Sequence, residues 1–313
     1  MTSSNEEALA LEKAVRPTTI VDAPRLSARL GAKIIIASEA FQHTGSFKFR
    51  AAYNLVVHVP QKLLITASSG NFGQALAYAC SLLKKSCIIV MPSTSAKVKV
   101  DAVREFGGQV EFVDVREKSR AERVNELARK HPEAYIASAY DDPLVIEGNS
   151  SLGRELRALG QHLDNVVVPV GGGGLISGVV TGMQQPNGTC IFGAEPLMAN
   201  DAAASLRSGK IVRNETEPQT IADGARTVSL GTHNWEIVRK SVKTIVEVPE
   251  EKIVEAVRLL FELANLKVEP TGALSVAAVM TLPVLFRGRT VCCVASGGNV
   301  DPAVYANILG GQS

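Results

Sequence analysis

The chain has 313 residues, of which 46% are hydrophobic and 20% charged, with a formal net charge of +2. That balance predicts a soluble globular protein with a sizeable core, and the well-mixed signs exclude a nucleic-acid-binding basic run. The opening MTSSNEEALA lacks a signal peptide's apolar core, and no apolar run approaches the ~18 residues of a membrane span.

Short apolar runs then alternate with helical patterns. LLITAS (63–68) leads through Ser-Gly-Asn into FGQALAYACSLLKK, and SCIIVMP (86–92) precedes a helix pattern ended by Gly107 and Gly108. QVEFVDV (109–115) is followed by a charged helix ending near Lys130, and AYIASA (134–139) closes that series. NVVVPV (165–170) runs into GGGGLISGVVTGM, TCIFGAEP (189–196) follows, and VCCVASGGN (291–299) reads as a last buried strand. EEKIVEAVRLLFELANLK (250–267) and Trp235 read as packing. This rhythm predicts an α/β protein with mostly parallel sheets and right-handed crossovers. Pro60 and Pro143 interrupt the pattern, which predicts a small domain over 61–141 inserted into a large one formed by 1–60 and 142–313.

The five cysteines, Cys80, Cys87, Cys190, Cys292 and Cys293, show no metal-type spacing. They read as reduced thiols, which favours a cytoplasmic protein, with Cys292 and Cys293 on opposite faces of a strand. The histidines His43, His58, His131, His162 and His233 likewise show no ligand spacing.

Four glycine- and serine-rich turns follow strands or precede helices: TGSFK (44–48), SSGN (68–71), GGGG (171–174) and SGGN (296–299). In open α/β sheets ligands bind beyond the carboxyl ends of the strands. Gly171 to Gly174 remove every side chain between a strand and a helix, so backbone N–H groups can close round a phosphate. GGGGLISG is neither GxGxxG nor a P-loop, which disfavours an ordinary nucleotide site. Ser68 to Asn71 suit either plain N-capping or an anion such as a carboxylate. Lys48, set among small and hydroxyl residues in an apolar stretch, has the setting of a desolvated nucleophile rather than of a surface lysine.

Together these turns resemble those of the fold-type II pyridoxal-phosphate enzymes, and within them the serine/threonine dehydratase and serine racemase family. The resemblance runs through TGSFKFRAA (44–52), SSGNFGQALA (68–77), GGGGLISG (171–178), GAEP (193–196), IADGA (221–225), VEPTGA (268–273) and SGGNVD (296–301). It implies a two-domain fold like the tryptophan synthase β chain, with mostly parallel twisted sheets flanked by helices. Lys48 would be the Schiff-base lysine for pyridoxal 5'-phosphate and the general base, with Phe47 packed near the ring. Gly171, Gly172, Gly173 and Gly174 would hold the phosphate, Asn71 the ring hydroxyl and Ser296 the pyridine nitrogen. Ser68, Ser69, Gly70, Asn71 and Phe72 would face the substrate, Ser69 matching the opposite-face acid/base of the racemases. Glu195, the Ala199 carbonyl and Asp201 match a divalent-cation site for structural Mg or Ca; the competing reading is a capped helix start.

The implied reaction is β-elimination from a β-hydroxy amino acid such as threonine, serine or hydroxyaspartate, giving a 2-oxo acid and ammonia. An amino-acid racemase or a β-replacement enzyme is the alternative. The implied partners are a small amino-acid substrate and a second copy in a homodimer, with no nucleic acid or membrane. Phe72 departs from the family's histidine, pointing either to a bulkier β-substituent or to packing under the cofactor. Ala51 replaces a glycine, EGNSS (147–151) replaces a more glycine-rich turn, and Val228 takes a racemase serine's position. Tyr140 would line the cofactor cleft or sit in the core.

Overall fold

A computed structural model describes residues 11–95, 97–184 and 188–311; the acidic opening segment, residues 1–10, lies outside the described residues. Two sheets carry the chain. The larger has the order β1 (Thr19–Asp22), β2 (Lys33–Ser38), β10 (Thr290–Ala295), β7 (Asn165–Pro169), β8 (Cys190–Pro196), β9 (Val242–Val248). The smaller has the order β5 (Gln109–Val113), β4 (Ser86–Pro92), β3 (Leu63–Ala67), β6 (Tyr135–Ile136). Every pairing is parallel except that of the edge strand β1 with β2. Parallel strands covered on both faces read as continuous apolar runs, and β7 is buried along its whole length.

Three strands fall outside the expected series. β1 and β9 are edge strands, β1 short and alternating and β9 interrupted by exposed and half-buried positions, so neither shows the solid apolar run of a central strand. β2 does show one, and it is the strand that delivers the chain to Lys48. The expected strand over 134–139 shrinks to Tyr135–Ile136 at the edge of the small sheet. EGNSS is not a turn: it lies inside the helix Pro143–Arg157, which starts at Pro143 with the Asp142 carboxylate accepting the Leu144 N–H at 2.8 Å.

Cys293 and Cys292 pack into the two different apolar layers on either side of the large sheet. The layer against the small sheet recruits Phe49, Ala51, Ala52, Leu55 and Val56 from the helix Lys48–His58, and Val59 just after it. That helix therefore packs with the small sheet while its first residue follows a strand of the large one. Trp235 and the helix Glu250–Ala264 are core elements, the helix burying Ile253, Ala256, Val257 and Leu260 on one face. Among the described residues no helix is long and apolar enough to cross a membrane.

Candidate active site

The four turns converge. Lys48 and Phe47 after β2, Ser68 to Phe72 after β3, Gly171 to Gly174 after β7, and Ser296 after β10 all line one cavity of about 840 Å³. Each loop leaves the carboxyl end of its strand, so the sheets' topology alone brings residues far apart in sequence to one place.

Lys48 opens its helix, with Phe47 at the cap position. The Phe47 N–H donates to the Ser296 carbonyl at 3.0 Å, and Ser46 pairs with Gly297. The lysine loop is thus stitched to the serine loop. The Lys48 ammonium donates to the Ala139 carbonyl at 2.7 Å and lies 5.0 and 5.7 Å from the ring centres of Phe47 and Phe72. Burial lowers its pKa to about 8, opposed by the charge of Glu269. A lysine so placed is neutral in appreciable part near physiological pH, as a nucleophile or base requires.

The glycine turn is a fitted cradle. A Cβ on Gly172 would overlap the Tyr140 ring, and Gly173 combines φ 93° with only 2.9 Å to Asn234 Cβ. Asn234 Nδ2 donates to the carbonyls of Gly172 (2.8 Å) and Tyr140 (3.0 Å), so those carbonyls are tied back. The helix Gly174–Met183 begins at this turn, adding the positive end of its dipole. Tyr140 accordingly lines the cavity as well as backing the cradle.

At the second turn the Ser68 hydroxyl accepts the N–H of Gly73 (3.0 Å) and, more weakly, of Gly70 (3.4 Å), which is a capping role. The helix Asn71–Leu82 starts here, and Ser69, Gly70 and Asn71 face the cavity with it. Phe72 is buried to 2% in the small sheet's apolar layer, and its ring still reaches the cavity wall beside Lys48.

Two buried hydroxyls in this cavity, Ser296 Oγ and Thr227 Oγ1, have no hydrogen-bond partner. Burying an unpaired hydroxyl is costly, so each offers a hydrogen-bonding group to whatever the cavity binds. Three further residues that line the cavity were given no role from the sequence: Thr227, and Glu269 and Asn299 inside the quoted motifs VEPTGA and SGGN. Glu269 carried the clearest signal, a carboxylate in an apolar run directly before the helix Pro270–Thr281. Its carboxyl group is buried and accepts from Asn71 Nδ2.

The expected cation residues lie elsewhere. Glu195 and Asp201 are buried apart from this cavity, and both Glu195 oxygens accept backbone N–H groups, from Ala203 at 2.6 Å and Ala202 at 3.2 Å. Asp201 accepts from Asn214 Nδ2 at 3.0 Å, its second oxygen unpaired. Glu195 thus does the capping work of the competing reading. Among the described residues no group of three His, Cys, Asp or Glu side chains is arranged to hold a metal.

A sequence model of the family described as "Pyridoxal-phosphate dependent enzyme" matches residues 11–297. The chain is 38% identical to an L-threo-3-hydroxyaspartate ammonia-lyase from Pseudomonas sp, over 96% of this chain and 95% of that protein. It is 32% identical to a serine racemase from Schizosaccharomyces pombe, over 96% of this chain and 94% of that one. The solved structure of maize serine racemase superposes with a TM-score of 0.91 at 30% identity, covering 97% and 94% of the two chains.

Proposed function

From the premise that this chain belongs to the pyridoxal-phosphate-dependent enzymes, we propose that it is an ammonia-lyase acting on a β-hydroxy amino acid of the hydroxyaspartate, threonine or serine class. The observation that carries this reading is Lys48, an amine held near pKa 8 in the same cavity as a four-glycine cradle.

The residues present fit the cofactor. The unpartnered Ser296 Oγ offers a ring nitrogen its hydrogen-bonding group, and Gly172 and Gly173, where a Cβ would collide with Tyr140 and Asn234, keep the turn as bare backbone against which a phosphate could sit. When bound, pyridoxal phosphate supplies the electron sink for the charge left at the α-carbon after proton removal. Lys48 would hold the cofactor, and its amine would take the α-proton as general base. Gly171 to Gly174 would bind the phosphate through backbone N–H groups, Asn71 would meet the ring hydroxyl, and Phe47 would pack beside the ring. Ser296 would present a hydroxyl, not a carboxylate, to the ring nitrogen and so would leave it largely neutral, which suits a reaction that discharges the α-carbon charge by losing the β-hydroxyl. Ser69, Gly70 and the start of the helix Asn71–Leu82 hold the substrate carboxylate. The products are a 2-oxo acid and ammonia.

A racemase is the second reading, favoured by Ser69 lining the same cavity as Lys48. One experiment separates the two. The purified protein is examined for the visible absorption of lysine-bound cofactor and assayed for 2-oxo acid release across β-hydroxy amino acids of both configurations. Oxo acid release supports the lyase, whereas inverted amino acid without oxo acid replaces it by the racemase.

Three finer elements belong to the same proposal. A small domain over 61–141 is supported by the four-stranded sheet, which falls within it. The assembly is a homodimer in the cytoplasm, the free cysteines being in keeping with a reducing compartment. A structural Mg or Ca at Glu195, Asp201 and the Ala199 carbonyl draws support from the unpaired Asp201 oxygen, and a thermal shift with either ion against chelator tests it.

A further inference from the structure

One buried carboxyl group on the cavity wall that the proposed reaction leaves unused is Glu269. Its side chain is 3% exposed, and it lies on the wall of the cavity. Its bonded partner is an amide, not a cation: Asn71 Nδ2 donates to Oε1 at 2.8 Å and to Oε2 at 3.1 Å. Asn71 Oδ1 is in turn occupied by Asn299 Nδ2 at 2.8 Å, and the same Nδ2 donates to the Thr44 carbonyl at 2.7 Å. The Asn71 amide is therefore clamped at both ends, and its orientation is fixed by the chemistry of its neighbours.

The clamp joins three of the four turns. Thr44 belongs to the lysine turn, Asn71 to the carboxylate turn, and Asn299 to the serine turn. Glu269 is also pinned through its backbone, its N–H donating to the Gly297 carbonyl at 3.1 Å. Gly297 must lack a side chain here, because a Cβ would approach Glu269 Oε1 to 2.8 Å. A carboxyl group buried for packing alone would be better replaced by an apolar or neutral side chain. Its retention against an amide that itself faces the ligand points to a task in the site.

We propose that Glu269 is a positioning residue: by fixing the Asn71 amide between itself and Asn299, it sets the orientation in which Asn71 meets the cofactor ring. This rests on the reading of the cavity as a pyridoxal-phosphate site. Glutamine at 269 keeps the shape but turns one acceptor into a donor facing the Asn71 NH₂ group. The clamp then loses the matched acceptor on that side, and the Asn71 amide is held from the Asn299 side alone.

The test titrates the cofactor-free protein with pyridoxal phosphate and records affinity and the visible spectrum of wild type, Glu269→Gln, Asn71→Ala and the double variant. Glu269→Gln is expected to weaken cofactor affinity about tenfold or more and to shift the visible band. In the Asn71→Ala background the same change is expected to add less than about twofold, the signature of a residue acting through another. Unaltered affinity and spectrum in Glu269→Gln, or its full effect persisting without Asn71, overturns the proposal. Should Glu269→Gln not fold, as judged by circular dichroism, Glu269→Asp is the second variant; it withdraws the carboxyl group by one methylene, and the same two outcomes decide. A wild-type chain that takes up no pyridoxal phosphate overturns the reading of the site itself, whereas uptake with an indifferent position 269 overturns this inference alone.

Discussion

The Lys48 ammonium donates to the backbone carbonyl of Ala139, 2.7 Å away and 91 residues further along the chain. That contact holds an amine that burial has already pulled down to about 8. Only the neutral amine attacks a carbonyl, so capture of pyridoxal phosphate by the cofactor-free protein should speed up as pH rises through about 8 and level off above it. An ordinary lysine would keep accelerating toward its usual pKa of 10.5. Stopped-flow absorbance across this range checks the point, and a rate still climbing beyond pH 9.5 would sink it. Lys48→Ala should abolish the lysine-bound band and lower turnover by about 10³-fold or more.

Gly172 and Tyr140 make a second, independent prediction. A methyl group on residue 172 would overlap the Tyr140 ring, so Gly172→Ala should lower stability by about 1–3 kcal/mol and weaken cofactor binding at least tenfold. Tyr140→Ala in the same chain removes the obstacle. Denaturant melts should then show the double variant regaining part of the stability that the single one lost, with cofactor affinity still reduced.

Behind Lys48 lies Arg50, whose side chain is wholly buried. Its guanidinium meets Glu39 (2.7 and 2.9 Å), Glu155 (2.7 and 3.2 Å), Ser151 Oγ (3.0 Å) and Thr18 Oγ1 (2.9 Å). Arg50→Met would strand the Glu39 carboxylate without its cation, a loss of about 3–5 kcal/mol by urea denaturation. At the cavity mouth Arg120 pairs with Glu217 at 2.7 Å and Lys99 pairs with Asp223, all four side chains partly exposed. Removing either cation there should cost under about 1 kcal/mol. Equal losses at the buried and rim sites would contradict the burial argument.

Why the site was more legible than the scaffold follows from what each residue does. Gly171 to Gly174, Ser296 and Lys48 stand in short motifs whose chemistry depends on local composition, and the strand-ending positions of those motifs place them together. Edge strands β1 and β9 carry half-buried patterns with little local signal, so they went unread, and so did β2, a strand of plainly apolar sequence. EGNSS looked like a turn because glycine, asparagine and serine are turn formers, but in the helix Pro143–Arg157 it packs small residues against the helix Gly174–Met183. Phe72 was open between two readings, and the structure allows both: it belongs to the buried layer, and its ring edges the cavity. Glu269 and Asn299 act through contacts over long sequence separations, up to 255 residues for Asn299 and Thr44, which no local pattern encodes.

Glu269 provides the last prediction, in the pH dependence of stability. Burial, with Asp223 adding repulsion, raises its carboxyl pKa to about 8, against the downward pull of the Asn71 bond, Lys99 and the Asn299 N–H; Lys48 is the other charge facing it. The unfolded reference is 4.5. Below that value the carboxyl group is protonated in both states and contributes no pH dependence. Between about 4.5 and 8 the unfolded chain has lost the proton while the folded one keeps it, so the folded state binds more protons and stability falls as pH rises. Glu269→Gln cannot titrate and lacks this slope. The stability of cofactor-free wild type relative to Glu269→Gln should therefore decline steadily from pH 5 to pH 8, by an amount on the order of a few kcal/mol. Lys48, with a lowered pKa, contributes in the opposite sense and only above about 8, so the window is clear of it. Denaturant melts of the two proteins across that range decide the matter, since parallel stability curves would mean that Glu269 is ionised in the folded state from the start.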